Sequence, residues 1–212
     1  GNDFATALGI PLQLAPAVRA LADDLRRGRS TPVDAARTTA ANGDPLRWWV
    51  SVLASGFDSA VSERANLMRW PRGPRRYDVA IVRELLRLAP KAFELELDGD
   101  RWAGPATAVS VGNTSTYGGG MRVCPTADHT DGLFDVTVVG PISRTELVRF
   151  KPRLYAGTHV DHPGVHTHRA ATVTLRAAGV AAYADGEPLG ALPLTVDCVP
   201  GALRVAGIRP AA

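Results

Sequence analysis

Short apolar runs, separated at close intervals by glycine and proline, fill most of the chain beyond residue 92 and leave few folds open to it. Residues 93–97 alternate apolar and acidic side chains, as a strand with one buried face does, and the turn Asp98-Gly99-Asp100 follows them. Further strands are predicted at residues 102–111, 133–139, 171–176, 180–183, 192–199 and 202–208. Many short strands with this spacing of turns are typical of a β-sandwich.

The first 90 residues add helices to this sandwich. Apolar side chains at helical spacing predict a helix over residues 14–27, ended by Gly28. The remaining predicted elements are strands at 31–39 and 46–56 and helices at 57–67, 77–88 and 144–155, the last with Ser143 as its N-cap. No internal sequence repeat is evident. The predicted fold class is therefore mainly β with α (α+β).

Composition limits the size of the core and the kinds of partner. The chain has 212 residues, of which 45% are hydrophobic, enough for one good core. Its net charge of +3 is too small to argue for nucleic-acid binding. Cys124 and Cys198 lack metal-ligand spacing and the density of a disulfide framework, so both are predicted to be reduced strand residues of a cytosolic protein. No apolar run approaches the roughly 18 residues that span a bilayer, so any membrane contact is expected to be peripheral.

The segment Tyr183-Ala184-Asp185-Gly186-Glu187-Pro188 is the first candidate for chemistry. Residues two apart on a strand face the same side, and a glycine between them lets a ligand approach closely, so Asp185 and Glu187 can share one site. A carboxylate there could act as a general base. The alternative is a solvated turn, because Asp-Gly commonly closes hairpins.

Residues 113–121, Asn-Thr-Ser-Thr-Tyr-Gly-Gly-Gly-Met, form a second candidate. Backbone N–H groups around Gly118, Gly119 and Gly120 could form an anion-binding concavity, to which Asn113 adds a donor and an acceptor. This loop is expected at the wall of a cleft, near phosphate or a lipid headgroup. The alternative is a flexible hairpin tip.

Residues 128–133 offer ligands for a hard cation. Asp131 precedes a glycine and follows Asp128 by three residues, so one carboxylate and nearby backbone carbonyls could bind a cation, with waters completing the octahedron. Few protein ligands mean weak binding. An empty or water-filled site is therefore the alternative.

Four histidines cluster in a segment for which a zinc site is rejected. His159, His162, His166 and His168 lie in residues 157–169, which contain proline and glycine and lack cysteine and a helical frame. A solvated connecting loop is favoured. His129 is likewise expected to be exposed.

The loop at residues 69–76, Arg-Trp-Pro-Arg-Gly-Pro-Arg-Arg, is not expected to form a regular element and is the candidate for membrane contact. Arg72, Arg75 and Arg76 would be attracted to anionic headgroups, and Trp70 prefers the interface. The alternative is a solvated loop.

Several of these segments occur in the order seen in bacterial diacylglycerol kinases and related soluble lipid kinases, which the chain resembles over nearly its whole length. They are Gly1-Asn2-Asp3-Phe4-Ala5, Leu8-Gly9-Ile10-Pro11, Gly56-Phe57-Asp58 with Asn66, Tyr117-Gly118-Gly119-Gly120-Met121, Asp131-Gly132-Leu133 and Asp185-Gly186-Glu187. The resemblance implies an N-terminal α/β nucleotide-binding domain with a GGDGT loop and a C-terminal β-sandwich of the NAD kinase-like fold. The opening residues are similar to the end of the family's GTGND motif, so the first domain is expected immediately upstream.

The resemblance also implies roles for individual residues. Asp185 would be the general base for a lipid hydroxyl, and Glu187 would orient it or help to hold the catalytic Mg²⁺. A structural Mg²⁺ would be bound by the Asp131 carboxylate and the carbonyls of Asp128 and Leu133. The residues expected near the nucleotide phosphates are Gly1, Asn2, Asp3, Asn113, Gly118, Gly119 and Gly120.

The chain is accordingly expected to be the C-terminal part of an ATP-dependent diacylglycerol kinase that makes phosphatidic acid at the inner face of the membrane, and to be nearly inactive alone. The rivals are a kinase of another lipid alcohol, such as a sphingoid base or phosphatidylglycerol, and a non-catalytic lipid-binding module. Residues 1–30 would be the tail of the nucleotide-binding domain with a linker helix, 31–200 the sandwich, and 201–212 the last strand and tail. The expected partners are the lipid, ATP and Mg²⁺, nucleic acid is not expected, and a homodimer is left open.

Overall fold

Twelve strands form two antiparallel sheets of six within residues 2–71, 73 and 75–208, which the computed structural model describes. The strands are β1 (Thr31–Ala40), β2 (Pro45–Trp49), β3 (Val52–Gly56), β4 (Lys91–Leu97), β5 (Asp100–Ala106), β6 (Ala108–Gly112), β7 (Phe134–Val139), β8 (Val165–Ala170), β9 (Thr172–Arg176), β10 (Ala181–Ala184), β11 (Glu187–Ala191) and β12 (Leu194–Val205). The first sheet has the order β2-β1-β12-β9-β4-β5, and the second has the order β11-β10-β3-β6-β7-β8.

The strand order reveals a repeated three-strand unit. In each unit the first two strands pair with each other in one sheet, and the third strand lies in the other sheet. The four units are β1-β2-β3, β4-β5-β6, β7-β8-β9 and β10-β11-β12. The chain thus has an internal repeat of topology, although no internal repeat is evident in its sequence.

Five α-helices lie in the described part of the chain. They are α1 (Asp3–Ala7), α2 (Leu14–Arg26), α3 (Phe57–Leu67), α4 (Arg75–Leu86) and α5 (Arg144–Ala156), and a 3₁₀ turn follows at Thr158–Asp161. The prediction for α2 is confirmed, and Gly28 beyond its end has the expected left-handed backbone with φ of 61°. At α5, Ser143 Oγ accepts the N–H of Glu146, and the Glu146 carboxylate accepts the N–H of Ser143, which is the reciprocal N-cap of a capping box.

Apolar side chains from both sheets form one core, which confirms the predicted sandwich. Phe93 and Leu175 come from the first sheet, and Val109 and Phe134 from the second, and all four are almost wholly buried. Trp49 stacks on Phe134 with 5.6 Å between ring centroids. Its indole N–H donates to Thr38 Oγ1 at 2.9 Å, which satisfies the polar edge of a buried ring.

Two predicted strands each turn out to be two strands in different sheets. Residues 46–56 divide into β2 and β3 at Val50 and Ser51, whose N–H groups donate to a carboxylate rather than to a neighbouring strand. Residues 102–111 divide into β5 and β6 at Thr107, whose N–H and hydroxyl donate to the carbonyls of Val139 and Gly140. Periodicity indicates that a run of residues can form a strand but not which sheet the strand joins, so it does not show the break.

The two strands predicted at 192–199 and 202–208 are instead one strand, β12. It pairs with β1 along its whole length, and the register shifts between Val33 and Ala35 on β1. The extra residues of β12 at this bulge include Gly201, which has a φ of 61°. The residues that were predicted to separate two strands therefore form a β-bulge.

Residues 157–169 are not the solvated loop that was predicted. They contain the 3₁₀ turn and most of β8, which forms the edge of the second sheet. His159 is fully buried, its Nε2 lies 3.1 Å from the Val123 carbonyl oxygen, and burial lowers its pKa. His129, expected to be exposed, is half-buried.

Both cysteines are free, as predicted. Cys198 lies on β12, but Cys124 lies in a buried bend outside the strands, which corrects its assignment as a strand residue. Burial raises the pKa of the Cys124 thiol to about 12, so this thiol is not a reactive one.

Candidate active site

Asp185 and Gly186 are the two turn residues of the hairpin that joins β10 to β11. Both have left-handed backbone, with φ of 51° and 83°, as a two-residue turn of this kind requires. The Asp185 carboxylate accepts two main-chain N–H groups, Oδ2 from Val50 at 2.8 Å and Oδ1 from Ser51 at 3.0 Å. The exposed residue is therefore fixed by the segment in which the chain crosses from β2 to β3.

Glu187 begins β11 and pairs with Ala184 across the same turn. Its carboxylate makes an exposed ion pair with Arg47 Nη1 at 3.7 Å. The prediction that Asp185 and Glu187 face one side of a single strand is wrong, because Asp185 lies in the turn. A role for Glu187 in orienting Asp185 or holding a metal stays a prediction.

The hairpin between β4 and β5 repeats the arrangement at Asp185. Asp98 also has a φ of 51°, and its carboxylate accepts the N–H groups of Ala171 at 2.8 Å and Thr172 at 2.7 Å. These two residues lie where the chain crosses from β8 to β9. Anchoring by two N–H groups is thus a structural device of this sandwich and does not by itself identify a catalytic residue.

The glycine-rich loop binds the carboxylate of Asp3, a residue of the same chain. Gly119 and Gly120 donate their N–H groups to the Asp3 carboxylate at 3.1 Å and 2.7 Å. Positive φ angles at Gly118, Gly119 and Gly120 let successive N–H groups point the same way. The structure therefore brings together two segments predicted near phosphate, Asn2-Asp3 and the three glycines, while Gly1 lies outside the described residues.

Asn113 is fully buried and does not line an open cleft. Its Nδ2 donates to the carbonyls of Asp34 at 2.9 Å and Val50 at 2.8 Å, and its main-chain N–H donates to Ser51 at 2.9 Å. The predicted contact of this side chain with phosphate is not compatible with its position, because both of its donors are used on the backbone and the residue is closed to solvent.

In the turn predicted to bind a structural Mg²⁺, the carboxylate of Asp131 is already paired with an arginine. Asp131 Oδ1 accepts the N–H of Leu133 at 3.0 Å, and Oδ2 forms an ion pair with the guanidinium of Arg169. The same guanidinium donates to Asp135 at 3.0 Å. Attraction to Asp131 first, and then to Asp135, raises the pKa of Arg169.

Arg169 occupies the carboxylate that was predicted to bind Mg²⁺, and a metal at Asp131 would have to displace it. The side chain of Asp128, of which only the carbonyl was predicted to bind the metal, accepts the N–H and hydroxyl of Thr130 at 3.0 Å and 2.7 Å. Among the described residues, no group of three or more histidine, cysteine or acidic side chains is arranged to hold a metal. Binding of Mg²⁺ through Asp131 and the carbonyls of Asp128 and Leu133 stays a prediction. Arg169 would compete with Mg²⁺ for the Asp131 carboxylate.

Sequence reasoning missed Asp34, which connects three parts of the site. Its buried carboxylate accepts the N–H of Gly132 at 2.7 Å and that of Gly201 at 2.8 Å, and its own N–H donates to His129 at 2.8 Å. Since its carbonyl accepts from Asn113, Asp34 joins the Asp131 turn to the Asp185 side of the sandwich. A lone acid inside an apolar strand was the available signal.

A second acidic residue, Asp58, lies near the glycine-rich loop. Burial raises the pKa of its carboxyl group, while a hydrogen bond from the Tyr117 phenol lowers it by less. Burial and the neighbouring Asp58 raise the pKa of Tyr117 well above its usual value. Tyr117 is held by two backbone hydrogen bonds with Met121, each 3.0 Å long, that close the loop.

The proposed membrane segment is partly helical. Arg75 and Arg76 belong to the first turn of α4, which corrects the expectation that residues 69–76 form no regular element, and Arg72 lies outside the described residues. Trp70 is 82% exposed. Arg76 is half-buried with its guanidinium 5.3 Å from the Tyr77 ring centre, so it is less available to a ligand than Arg75.

Exposed apolar side chains extend this surface on both helices. Leu67 ends α3, and Val82 and Leu86 lie on the outward side of α4. Residues i, i+4, i+7 and i+11 share a helix face, so Arg75 lies on the same side of α4 as Val82 and Leu86. In the part of the chain that the structure describes, no helix has the length and apolar character to cross a membrane.

The double sheet of crossing three-strand units with Asp-Gly hairpins is a β-sandwich, and sequence comparison identifies its family. The family described as "YegS C-terminal NAD kinase beta sandwich-like domain" matches residues 51–207. The chain belongs to this family.

Curated proteins are similar in sequence to this chain over nearly its whole length. A diacylglycerol kinase of Mycobacterium tuberculosis (strain ATCC 25618 / H37Rv) is 43% identical over 211 residues, which are 99% of this chain and 66% of the relative. A protein of Stenotrophomonas maltophilia (strain K279a), named "Probable lipid kinase YegS-like", is 32% identical over 96% of this chain and 65% of its own length. The chain therefore spans about two thirds of the length of these curated relatives.

Solved structures show the same fold. A crystal structure from Bacillus anthracis strain Sterne has a TM-score of 0.72 at 22% identity and covers 99% of this chain and 66% of that one. A diacylglycerol kinase from the same organism has a TM-score of 0.67 at 19% identity, over 99% and 64% of the two chains. At such identities the likeness concerns the fold alone.

Proposed function

We propose that this chain is the sandwich part of an ATP-dependent diacylglycerol kinase in which Asp185 accepts the proton of the lipid hydroxyl. The observation that carries the proposal is the position of Asp185 in a chain 43% identical to a diacylglycerol kinase. Its carboxylate is exposed at a hairpin and held by two N–H groups. Each oxygen keeps a free lone pair, so the carboxylate can still accept a proton.

In the proposed reaction the lipid hydroxyl attacks the γ-phosphorus of ATP. A new P–O bond forms to the lipid while the bond to the ADP oxygen breaks, and the hydroxyl proton passes to Asp185. The products are phosphatidic acid and ADP. Such transfers depend chiefly on positioning and on offsetting the triphosphate charge, which Mg²⁺ arriving with ATP would supply. The Asp131 turn takes no part in this scheme.

Most contacts to ATP would come from a further domain. The outward face of α2 supports this, because Leu14, Val18, Leu21 and Leu25 recur at helical spacing and all are exposed, Leu14 at 81%. An apolar stripe of this kind needs a covering surface. We therefore assign residues 1–30 to the junction with a nucleotide-binding domain and the strands from β1 to β12 to the sandwich. The boundary expected between residues 200 and 201 falls inside β12, so the residues of β12 beyond it belong to the sandwich.

The lipid would be reached by peripheral contact with the inner face of the membrane. Trp70 and Leu67 offer exposed apolar surface beside Arg75, a combination suited to anionic headgroups. Arg72 and Arg76 would add to this charge. The surface favours a bilayer-borne substrate over a water-soluble one.

The test uses an extended protein, in which this chain is joined to the part of the Mycobacterium tuberculosis relative that lies outside the match. With radiolabelled ATP and diacylglycerol in vesicles, it should produce labelled phosphatidic acid, whereas the 212-residue chain alone should be nearly inactive. Asp185→Asn should lower kcat by about 10²–10⁴-fold without weakening vesicle binding.

Two outcomes would redirect the proposal. Label on a sphingoid base or phosphatidylglycerol, with none on diacylglycerol, would assign the chain to another lipid alcohol. Vesicle binding with no transfer to any of the three lipids would favour a non-catalytic lipid-binding module.

A further inference from the structure

One peptide unit connects the side chains of Asn113 and Asp185. The carbonyl of Val50 accepts from Asn113 Nδ2 at 2.8 Å, and the N–H of Ser51, in the same peptide unit, donates to Asp185 Oδ1 at 3.0 Å. The C=O and N–H of a trans peptide are rigidly coplanar and point in opposite directions. The direction of the N–H that holds Asp185 is therefore set by what holds the Val50 carbonyl.

Asn113 also holds the next carbonyl of this segment. Its main-chain N–H donates to Ser51 at 2.9 Å, and Thr114 donates to the same oxygen at 3.1 Å. The two residues of the crossing are thus held by Asp185 through their N–H groups and by Asn113 and Thr114 through their carbonyls. Since Asn113 is fully buried in the sandwich, it can fix this segment against motion of the exposed hairpin.

The crossing at Asp98 provides a comparison within the molecule. There the carbonyl of Ala171, equivalent to that of Val50, accepts the main-chain N–H of Cys198 at 2.8 Å. A main-chain hydrogen bond is therefore sufficient to hold the carbonyl group at a crossing. At the Asp185 crossing a buried side chain is used instead, and its remaining atom, Oδ1, has no hydrogen-bond partner among the described residues. A buried carbonyl without a partner costs stability, so this asparagine is not the simplest structural choice.

We propose that Asn113 is a positioning residue for Asp185, acting through the Val50–Ser51 peptide unit. This inference rests on the proposed role of Asp185 as proton acceptor. Asn113 does not touch the substrate. It keeps the Ser51 N–H directed at the carboxylate, and so keeps the carboxylate in place for the lipid hydroxyl, where a displacement of about 1 Å can cost about 10²-fold in rate.

The experiment compares Asn113→Ala with Thr107→Val. The control also removes a buried side-chain hydrogen bond, from Thr107 to Gly140 at 2.9 Å, but at a different crossing. Amide hydrogen exchange is measured by NMR on the full 212-residue chain, with Thr172 beside Asp98 as an internal reference. Asn113→Ala should speed exchange at Ser51 by about tenfold or more relative to Thr172, and Thr107→Val should not.

Kinetics of the extended protein provide the second readout. Asn113→Ala should lower kcat by about 10–100-fold while KM for ATP and for lipid stays within about twofold, because positioning acts on the transition state. Thr107→Val should leave kcat within about twofold. A fall in kcat without faster Ser51 exchange, or faster exchange without a fall in kcat, would overturn the assignment.

A reciprocal measurement avoids any change at Asn113, in case the alanine variant does not fold. Asp185→Ala in the 212-residue chain should shift the Asn113 side-chain amide resonances, whereas Asp98→Ala should not. Unshifted resonances in the Asp185 variant would contradict the connection. If the wild-type extended protein transfers no phosphoryl group, the proposed function fails, while these resonances still decide whether Asn113 and Asp185 are coupled.

Discussion

Asp98 and Asp185 occupy equivalent hairpins on opposite sheets, and each carboxylate accepts the N–H groups of two consecutive residues at a strand crossing. Each replacement by alanine should therefore lower the free energy of unfolding by a similar amount, about 1–2 kcal/mol for two exposed hydrogen bonds to a charged group. Urea denaturation of the two variants measures this. Only Asp185→Ala should abolish transfer in the extended protein, and equal loss of activity in both variants would reduce Asp185 to a structural residue.

The bond between Asp3 and the glycine-rich loop should control the mobility of that loop. Asp3→Ala leaves the N–H groups of Gly119 and Gly120 without their acceptor. Their hydrogen exchange should become about tenfold faster or more. Asp23→Ala is the matched control, since it removes an exposed acid paired with Arg26 at 3.6 Å on α2. Unchanged exchange at both glycines in the Asp3 variant would mean that the loop holds its shape unaided.

Arg169 should make the Asp131 turn independent of metal. Removing it in Arg169→Ala leaves Asp131 and Asp135 without their shared cation. Because the guanidinium is half exposed, Tm should fall by only about 2–4 °C. Millimolar Mg²⁺ should recover part of this loss and should leave the wild type unchanged.

Two further variants separate metal binding from general destabilisation. Arg176→Ala removes an arginine that pairs with Glu96 at 3.3 Å, and Mg²⁺ should not affect its Tm. The double variant Asp131→Asn, Arg169→Ala should lose the response to Mg²⁺. If Mg²⁺ raised the Tm of the wild type as much as that of Arg169→Ala, the predicted metal site would be supported.

Asp58 should make stability fall as pH rises. Burial raises the pKa of its carboxyl group from the ordinary 3.8, so the folded state binds the proton more tightly than the unfolded state does. The contribution of Asp58 to the free energy of unfolding is fully present below the ordinary pKa. It is lost as the pH rises through the raised pKa of the folded state. Asp58→Asn keeps an acceptor for the Tyr117 phenol and cannot ionise.

Urea denaturation between about pH 4 and pH 7 tests this assignment. The free energy of unfolding of Asp58→Asn minus that of the wild type should increase with pH over this range. Asp78→Asn, an exposed acid on α4, should give a difference that does not follow this trend. A pH-independent difference for Asp58→Asn would show that the buried carboxyl group titrates normally.

The α3 and α4 surface should bind anionic vesicles. Trp70→Ala should weaken co-sedimentation with vesicles, and Arg72, Arg75 and Arg76 changed together to Ser should also weaken it, because the first loses interfacial contact and the second loses charge. Wild-type binding should fall as salt is raised, since exposed charges are screened. Trp48→Ala is the control, because Trp48 is also exposed, at 53%, but lies on β2. Equal binding by all four proteins at low salt would place the membrane contact elsewhere.

The sandwich could be predicted from sequence because alternation reports which side of a strand is buried. Alternation does not report which sheet a strand joins, so the crossings at Val50–Ser51 and Thr107 were missed. The candidate loops could be located from glycine and acidic residues. Their partners could not, because Val50 and Ser51 contribute only backbone N–H groups, and Asp185 lies more than 130 positions away along the chain.

The exchange of every third strand between sheets also determines the order in which the chain can fold. The first sheet contains both β1 and β12, and Thr31 pairs with Val205. Neither β1 nor β9 gains its neighbour in the centre of that sheet until β12 is present. The contact order is therefore high, and folding is expected to be slow. During synthesis the first sheet can close only after β12 has left the ribosome.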